Sequence, residues 1–309
     1  MLNASLPSGL PACGPLQHLR AAAEHVLGQR DEEWCIVDSS RSVAVAQIGC
    51  VPGDIGANLR RITETAEAAA STGVELIVFP ECGLTGYLFD SRGAAEAVAV
   101  AADGPELATI AELSARLNLH LVVGALEKDG GGLYNSAFVI GPEGHVGVHR
   151  KAHLPPLGAD RFVDEPPASG ISVFDTPLGR LGVMICYETR FPEVARTLAL
   201  SDADIIAVPT VWSAQSRILA EYFAPVRAAE NLVYLLVANR PDSEKATDFL
   251  GFSQIVAPDG EVLAVQQARC EEVLTARIDL DRFRGKRLVF DGGVSIAPLE
   301  DRRPSTYAL

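Results

Sequence analysis

The sequence predicts an α/β fold in which helices cover mixed sheets. Apolar, strand-like runs alternate with amphipathic helical segments along most of the chain, the pattern of layered α/β domains. With 309 residues, 48% of them hydrophobic, the chain can bury one large core. The sequence also contains an internal repeat. In the first half, a helix is followed by residues 71–73 and a strand that ends at Pro80; in the second half, a helix is followed by residues 201–203 and a strand that ends at Pro209. Two stacked α/β halves would form an αββα sandwich.

The elements of the first half follow from the hydrophobic periodicity. The apolar run 74–79 is predicted to be a strand that stops at Pro80, because proline lacks the N–H that strand pairing needs. The helix before this strand places four apolar residues on one face, Leu59, Ile62, Ala66 and Ala69. The other elements predicted here are strand 43–48, helix 105–117, strand 119–125 and a hairpin of strands 135–140 and 145–150.

In the second half, a turn at residues 176–179 separates two predicted strands, 171–175 and 180–185. The elements predicted after them are helix 191–200, strand 204–208, a long helix at 214–230 and strands 232–238, 251–256, 261–265 and 272–278. The predicted fold therefore begins near residue 42 and contains two series of alternating strands and helices.

The two ends of the chain differ in character from this domain. Residues 1–41 are predicted to be an N-terminal extension with a short amphipathic helix at 15–30; a packing arm, a flexible extension and a mis-assigned start all remain open. Residues 42–285 form the predicted main domain. Residues 286–309 are polar and contain proline and arginine, so we expect this tail to pack on the domain or on a partner subunit.

Charge and cysteine usage narrow the possible partners. The formal net charge of −14 argues against nucleic acid and anionic membranes as partners, because binding to either requires a basic surface. No run of about eighteen apolar residues is present, so we expect no membrane-spanning helix.

The chain contains six cysteines, at positions 13, 35, 50, 82, 186 and 270, and their spacing is not that of metal ligands. We therefore expect neither a zinc site nor a disulfide framework. This cysteine usage favours a reducing cytoplasm as the location of the protein.

Cys186 is the first candidate for a catalytic residue. It ends the apolar run 181–186 and is followed at once by residues that start a helix, Tyr187 to Glu193. Backbone N–H groups and a helix dipole at such a position would favour the thiolate. The alternative is an ordinary core cysteine, since free cysteine is among the most buried residue types.

Glu81 and Lys151 are the candidates for the groups that act together with this thiol. Glu81 follows the strand that stops at Pro80, and Lys151 lies between a short strand and a proline-rich loop. Taken singly, they would be read as a solvated loop carboxylate and a surface charge. Together with Cys186 they supply a base, an ammonium group and a thiol, which suffice for acyl transfer through a thioester.

Other catalytic arrangements have less support in the sequence. His153 lies two residues from Lys151 and could approach the same pocket to form a Cys–His pair, but a structural role is favoured because loop histidines usually bind local backbone groups. No GxSxG elbow, phosphate-binding loop or HExxH motif is present, which argues against serine hydrolases, nucleotide enzymes and zincins.

The ordered motifs resemble those of a known family. Residues 79–81, 150–155, 185–188 and 190–193 are similar to the three signature blocks of the nitrilase superfamily of carbon–nitrogen hydrolases, in the same order. Further resemblances occur at 208–212, 227–231, 239–240, 251–255, 258–260 and 301–304. The likeness covers about residues 42–307.

This resemblance implies a fold and a set of site residues. The family fold is an αββα sandwich, and Glu81, Lys151 and Cys186 correspond to its Glu-Lys-Cys triad. Tyr187, through its backbone N–H, is then expected to bind the oxyanion, with Glu188 and Trp212 beside the substrate. The family requires no metal and no organic cofactor, and it commonly forms homodimers or higher homo-oligomers.

The chain departs from its family in the loop after Lys151. Members often carry a second glutamate early in this loop, where it orients the lysine and the substrate, but this sequence has none there. Asp160 is the candidate for a fourth catalytic group, and Glu165 is the alternative. A third possibility is that Asp160 forms an ordinary surface pair with an arginine.

The resemblance predicts a cysteine hydrolase of non-peptide carbon–nitrogen bonds. True nitrilases tend to carry tryptophan after the nucleophile, whereas residues 186–188 together with 190–193 resemble the amidase and carbamoylase branches. The expected substrate is a small carboxamide or an N-carbamoyl (ureido) compound, cleaved with release of ammonia. The alternatives are a nitrilase proper and a catalytically silent interaction protein of the same fold.

Overall fold

The computed structural model describes residues 40–167, 171, 173–283 and 285–307. The predicted N-terminal extension therefore lies outside the described residues except for its last two positions, and the helix predicted at 15–30 lies wholly outside them. Within the described part of the chain, no helix is long and apolar enough to cross a membrane.

Two six-stranded sheets form the centre of the domain. In spatial order, the first sheet contains β14 (Glu272–Asp279), β1 (Ser40–Gln47), β2 (Leu76–Val78), β3 (His120–Asp129), β4 (Gly132–Gly141) and β5 (Gly144–Arg150). The second contains β13 (Val262–Gln266), β12 (Ser253–Val256), β9 (Tyr234–Asn239), β8 (Ile205–Thr210), β7 (Gly179–Val183) and β6 (Val173–Thr176). Short two-stranded ribbons pair β10 (Ser243–Glu244) with β11 (Thr247–Asp248) and β15 (Leu288–Val289) with β16 (Ser295–Ile296).

The two sheets have the same internal plan. Each has three parallel strands, β1 to β3 or β7 to β9. Each is extended by one antiparallel strand at one edge and two at the other. The two strands of the predicted internal repeat occupy equivalent positions in the two sheets. Strand β2 precedes Pro80, strand β8 contains Pro209, and each is the middle parallel strand of its sheet.

Helices cover the outer faces of the sheets, which gives the expected αββα order of layers. They are α1 (Ile55–Ser71), α3 (Pro105–Leu117), α4 (Pro192–Leu200) and α5 (Ala224–Asn231). The short α2 (Arg92–Glu96) instead buries Ala95 in the core that both sheets share. The side chains of strand β1 pack on both faces of the first sheet, because alternate residues of a strand point to opposite faces. Ala44 and Ala46 pack with α1 and α3, whereas Val43 and Val45 join the core shared with the second sheet and with α4 and α5.

The helix predicted over 214–230 is present as a helical segment, but it is not a regular α-helix throughout. It begins with a 3-10 turn at 214–216, contains a π-helical turn at 219–223 and continues directly as α5. Pro225 explains the π-helical turn, because it cannot donate the backbone bond that an α-helix needs at that position. The N–H of Ala224 bonds instead to the carbonyl of Leu219, five residues earlier.

Candidate active site

Glu81, Lys151 and Cys186 are brought together where strands of the two sheets end. Glu81 follows β2, Lys151 directly follows β5, and Cys186 follows β7 after two further residues. Glu81 and Lys151 are buried, and Lys151 Nζ donates a hydrogen bond to Glu81 Oε1 over 2.7 Å. The base and the ammonium group expected from the sequence are therefore direct partners.

A glycine allows the Glu81 loop to lie against the neighbouring strand. Gly124 is in β3, and a Cβ at this position would lie 2.5 Å from the Pro80 carbonyl oxygen and 2.8 Å from Glu81 Cα. Such contacts are shorter than packing permits, so a larger residue here would displace the loop that carries Glu81.

Cys186 lies in a strained turn rather than at the start of a regular α-helix. Its φ is +48°, an unfavourable region for a residue with a Cβ. It begins a short 3-10 turn at 186–190, and α4 starts only at Pro192. The indole N–H of Trp212 donates to the Cys186 carbonyl oxygen over 3.3 Å, which helps to hold the turn.

The electrostatic surroundings of Cys186 favour the neutral thiol. Burial and the negative charge of Glu81 raise its pKa well above the usual value, although Lys151, Thr210 and the Val211 backbone act in the opposite direction. The expectation that a helix dipole favours the thiolate is therefore wrong, because no regular helix begins at Cys186 and a carboxylate lies nearby. Activation of this thiol requires a base.

Glu81 is placed to be that base. Burial raises its pKa above the ordinary carboxyl value, and the charge of Lys151 opposes the rise. An interaction with the nearby Cys186 thiol also lowers the Glu81 pKa. Its Oε1 atom accepts from Lys151, whereas its buried Oε2 atom has no hydrogen-bond donor among the described residues.

A second carboxylate, Asp160, holds Lys151 from another side. Its Oδ2 atom accepts from Lys151 Nζ over 2.6 Å and from the Tyr87 hydroxyl over 2.8 Å. Burial alone would lower the Lys151 pKa, but Asp160 and Glu81 together raise it well above its usual value. Glu165, the alternative partner, is exposed. Asp160 is buried and does not form a surface pair with an arginine.

Glu188 lies behind the pocket rather than among the residues that line it. It is fully buried; its Oε2 accepts from Ile185 N–H over 2.7 Å and lies 2.8 Å from His149 Nε2, while its Oε1 accepts from Ala152 N–H over 2.9 Å. Burial alone would raise its pKa, but His149 and these donors hold the pKa below the ordinary value. Glu188 thus ties the residue after Lys151 to the residue before Cys186.

His153 does not contribute to the pocket. Like Glu81 and Lys151, it is not among the residues that line the cavity, so its own contacts decide its role. Its ring stacks on Phe191 with centroids 4.1 Å apart, and its Nδ1 lies 3.6 Å from Glu188 Oε1. These contacts agree with the structural interpretation rather than with a Cys–His pair.

A cavity of about 400 Å³ opens above Cys186. Its walls are largely aromatic and aliphatic, with Tyr87, Tyr187, Trp212 and Phe249 as the aromatic members. Arg190 is the single charged side chain that lines it in the described part of the chain. The size fits a small organic substrate, and the position brings such a substrate to the sulfur atom.

Sequence reasoning missed two polar residues of the site, Asn135 and Tyr87. Asn135 is buried in β4 and donates to both Glu81 and Asp160, and Tyr87 donates to Asp160. An asparagine in the middle of an apolar strand was the one available signal, because a buried amide needs polar partners. Among the described residues, no group of three or more His, Cys, Asp or Glu side chains is arranged to hold a metal ion.

The chain is similar in sequence to known carbon–nitrogen hydrolases. Residues 42–287 match the carbon–nitrogen hydrolase family. The chain is 39% identical over 236 residues to a nitrilase from Pyrococcus abyssi, which covers 75% of this chain and 87% of the relative. It is 30% identical over 287 residues to N-carbamoylputrescine amidase from Solanum tuberosum, with 86% of this chain and 93% of the relative covered.

Solved structures show the same fold. A Saccharomyces cerevisiae member of branch 10 of the nitrilase superfamily superposes with a TM-score of 0.71 at 26% identity, over 79% of this chain and 93% of that one. An amidase from Nesterenkonia sp. gives a TM-score of 0.72 at 21% identity, over 86% and 94% of the two chains. The chain therefore belongs to the carbon–nitrogen hydrolase family and is an enzyme with the αββα fold of the nitrilase superfamily.

Proposed function

We propose that this enzyme is an amidase that cleaves a small carboxamide or ureido compound through a thioester on Cys186. The observation that carries the proposal is the position of Glu81, which contacts Lys151 on one side and interacts with the Cys186 thiol on the other. A neutral thiol beside a buried carboxylate needs only a carbonyl carbon above it for attack to begin.

The reaction follows from these contacts. Glu81 accepts the thiol proton while the sulfur of Cys186 bonds to the substrate carbonyl carbon, and the carbonyl oxygen becomes an oxyanion. The Lys151 ammonium group and the Tyr187 backbone N–H stabilise this charge, and one fixed donor at such a site is worth about 3 kcal/mol. Protonated Glu81 then gives its proton to the departing nitrogen, so ammonia leaves and a thioester remains.

Hydrolysis of the thioester uses the same groups, with Glu81 taking a proton from water and returning it to the sulfur. Water attacks the acyl carbon as Glu81 takes one of its protons. The carbon–sulfur bond breaks, the acid is released, and Glu81 returns the proton to the Cys186 sulfur. Asp160 contributes by keeping Lys151 charged and fixed in place throughout.

The charge of the cavity limits the substrate class. No carboxylate among the described residues lines the cavity, and the exposed guanidinium of Arg190 does. A substrate that carries an ammonium group, such as the one named for the N-carbamoylputrescine amidase relatives, would meet the guanidinium of Arg190 in the cavity, while Glu81 and Asp160 are already paired with Lys151. We therefore favour neutral amides and amides or ureido compounds that bear a carboxylate.

A nitrilase is the second candidate, and the similarity to the Pyrococcus abyssi nitrilase favours it. Tyr187 after the nucleophile favours the amidase branch. A catalytically silent interaction protein is the third candidate, and the presence of Glu81, Lys151 and Cys186 in mutual reach argues against it.

Ammonia release over a matched substrate panel tests the proposal. The panel contains a neutral aliphatic amide, an amide and a ureido compound that carry a carboxylate, a ureido amine and the nitrile of the neutral amide. We expect hydrolysis of amides or ureido acids and little turnover of the ureido amine or the nitrile. Faster hydrolysis of the nitrile than of its amide would support the nitrilase, and no turnover of any compound would support the silent protein.

Arg190→Gln tests the role of the cavity charge. It should raise KM for the carboxylate-bearing substrates and leave KM for the neutral amide unchanged. Arg116→Gln is the control, because Arg116 is exposed on α3 and pairs with Glu67 away from the cavity. Equal effects of Arg190→Gln on neutral and anionic substrates would contradict the proposed selectivity.

A further inference from the structure

Asn135 contacts every charged member of the site. Its side chain is buried in β4, and its Nδ2 atom donates to Glu81 Oε1 over 2.7 Å and to Asp160 Oδ1 over 2.8 Å. Its backbone carbonyl accepts from the Lys151 N–H over 2.8 Å. One residue thus joins the base, the ammonium-bearing residue and the second carboxylate.

Neighbouring groups determine the orientation of this amide. The Cys82 thiol donates to Asn135 Oδ1 over 3.6 Å, so the carbonyl end of the amide faces the sulfur and the NH₂ end faces the two carboxylates. Both Nδ2 hydrogens are then engaged. In β4 the backbone is fixed as well, because Asn135 pairs with Leu126 of β3.

The consequence for Glu81 is a difference between its two oxygens. Oε1 accepts from both Lys151 and Asn135, whereas buried Oε2 accepts from no donor among the described residues. Hydrogen bonds to one oxygen stabilise the ionised carboxylate and leave the other oxygen available for a proton. The Cys186 thiol interacts with this carboxylate, and Oε2 is the oxygen that no donor among the described residues occupies.

We propose that Asn135 is a positioning residue that holds Glu81 ionised and leaves Oε2 as the oxygen that receives the Cys186 proton. This inference rests on the proposed function, since it assigns the atom used in its first step. The site contains two carboxylates around one ammonium group, so it carries excess negative charge. The Asn135 amide binds both carboxylates without adding a group that titrates.

The charged and titratable groups around Glu81 are Lys151, Asp160 and Cys186, which act on it directly, and Tyr87 and Cys82, which feel its charge. None of them would replace the lost donor if Asn135 became apolar. The pKa of Glu81 would then rise further, because one hydrogen bond to its charged form is gone. As the solution is acidified, the variant would therefore lose the activity that needs ionised Glu81 at a higher pH than the wild type does.

The experiment measures kcat/KM and the rate of Cys186 alkylation by iodoacetamide against pH. The variants are Asn135→Leu, which removes both donors at similar volume, and Asn135→Ser, which keeps one hydroxyl donor. Asn231→Leu is the matched control, because Asn231 is a buried asparagine at the end of α5 that bonds to the Arg227 carbonyl.

We expect the acid limb of both profiles to move upward by about one pH unit in Asn135→Leu, and by less in Asn135→Ser. Asn231→Leu should lose thermal stability with no movement of the limb. An unmoved limb in Asn135→Leu overturns the inference, as does an equal movement in Asn231→Leu. If Asn135→Leu does not fold, the comparison of Asn135→Ser with the wild type decides in the same way.

A failure of the Asn135 inference can be distinguished from a failure of the proposed function. If the wild type hydrolyses amides and Cys186→Ala does not, the proposed function holds and an unmoved limb removes only the role of Asn135. If Cys186→Ala retains activity, the proposed function fails whatever Asn135 does.

Discussion

At the residue scale, the site is built from charges that are costly to bury unless they are paired. Lys151 is fully buried between Glu81 and Asp160, and removal of either carboxylate would leave an ammonium group only partly compensated. Cys186 differs from these residues because burial and the charge of Glu81 raise the pKa of its thiol. This division explains why the base has to be next to the thiol.

Cys186→Ala should lower kcat by about 10⁴-fold or more, because the nucleophile is lost. Cys82→Ala should retain most of the activity, since the hydrogen bond of the Cys82 thiol is to the carbonyl end of Asn135 and not to Glu81 or Lys151. Steady-state kinetics of the two variants check this. Loss of activity in Cys82→Ala with survival of activity in Cys186→Ala would show that the nucleophile has been misassigned.

Asp160→Asn should reduce kcat/KM by about 10- to 1000-fold, because Lys151 loses a charged partner and its fixed position. Glu165→Gln should have little effect, since Glu165 is exposed. The same kinetic assay compares the pair. Mild effects in both variants would mean that three groups are enough for catalysis.

At the scale of elements, catalysis depends on loops that follow strands and on the contacts between those loops. Glu188 joins the loop after β5 to the turn after β7 through the Ala152 and Ile185 N–H groups. The position of Lys151 relative to Cys186 is thereby fixed by a buried carboxylate that does not face the substrate.

Glu188→Ala should lower the free energy of unfolding by about 3–5 kcal/mol at pH 7, because His149 and two N–H groups lose their buried partner. The folded pKa of Glu188 is lowered, so its contribution is complete above the ordinary carboxyl pKa of 4.5 and declines as the pH falls further. Urea denaturation from pH 7 to pH 3 measures this difference.

Glu193→Ala is the matched control for that experiment, because Glu193 is an exposed carboxylate in the first turn of α4. Its effect on stability should be small and nearly independent of pH over the same range. A constant stability difference for Glu188→Ala down to pH 3 would show that its carboxylate does not carry the effect.

Patterns along the chain predicted most elements, and the errors have local causes. Helix α3 has the predicted bounds, 105–117, because its apolar period is regular and Pro105 starts it. The predicted helix 214–230 is continuous but contains a π-helical turn before Pro225, which the apolar period does not predict. Glu81, Lys151 and Cys186 were found through motifs, but Asn135 was not, because only the register of β3 and β4 shows that its side chain faces Glu81.

At the scale of the whole molecule, the C-terminal tail has both buried and exposed apolar residues. Ala297 and Leu299 are buried against the domain, so part of the tail packs on its own chain. In the β15–β16 ribbon, by contrast, Val289, Phe290 and Val294 are 74%, 53% and 62% exposed. Exposed apolar groups that lie close together are typical of subunit contacts, and we propose that the ribbon contacts a partner subunit in a homodimer.

Light scattering at micromolar concentration should therefore give at least a dimer. Val289→Lys combined with Phe290→Ser should shift the protein toward the monomer, because a charge would be placed in the proposed contact. Val51→Ser is the control, since Val51 is an exposed apolar residue in the loop before α1. A monomeric wild type, or a double variant with unchanged mass, would contradict the proposal.

Mass spectrometry of an acyl-enzyme tests the central claim most directly. The enzyme is mixed with a good amide substrate, quenched in acid within milliseconds to seconds, and digested. We expect the mass of the acyl group on the peptide that contains Cys186, its presence in Cys82→Ala and its absence in Cys186→Ala. An acyl group on Cys82, or rapid amide hydrolysis with no adduct on any cysteine at any quench time, would contradict the account.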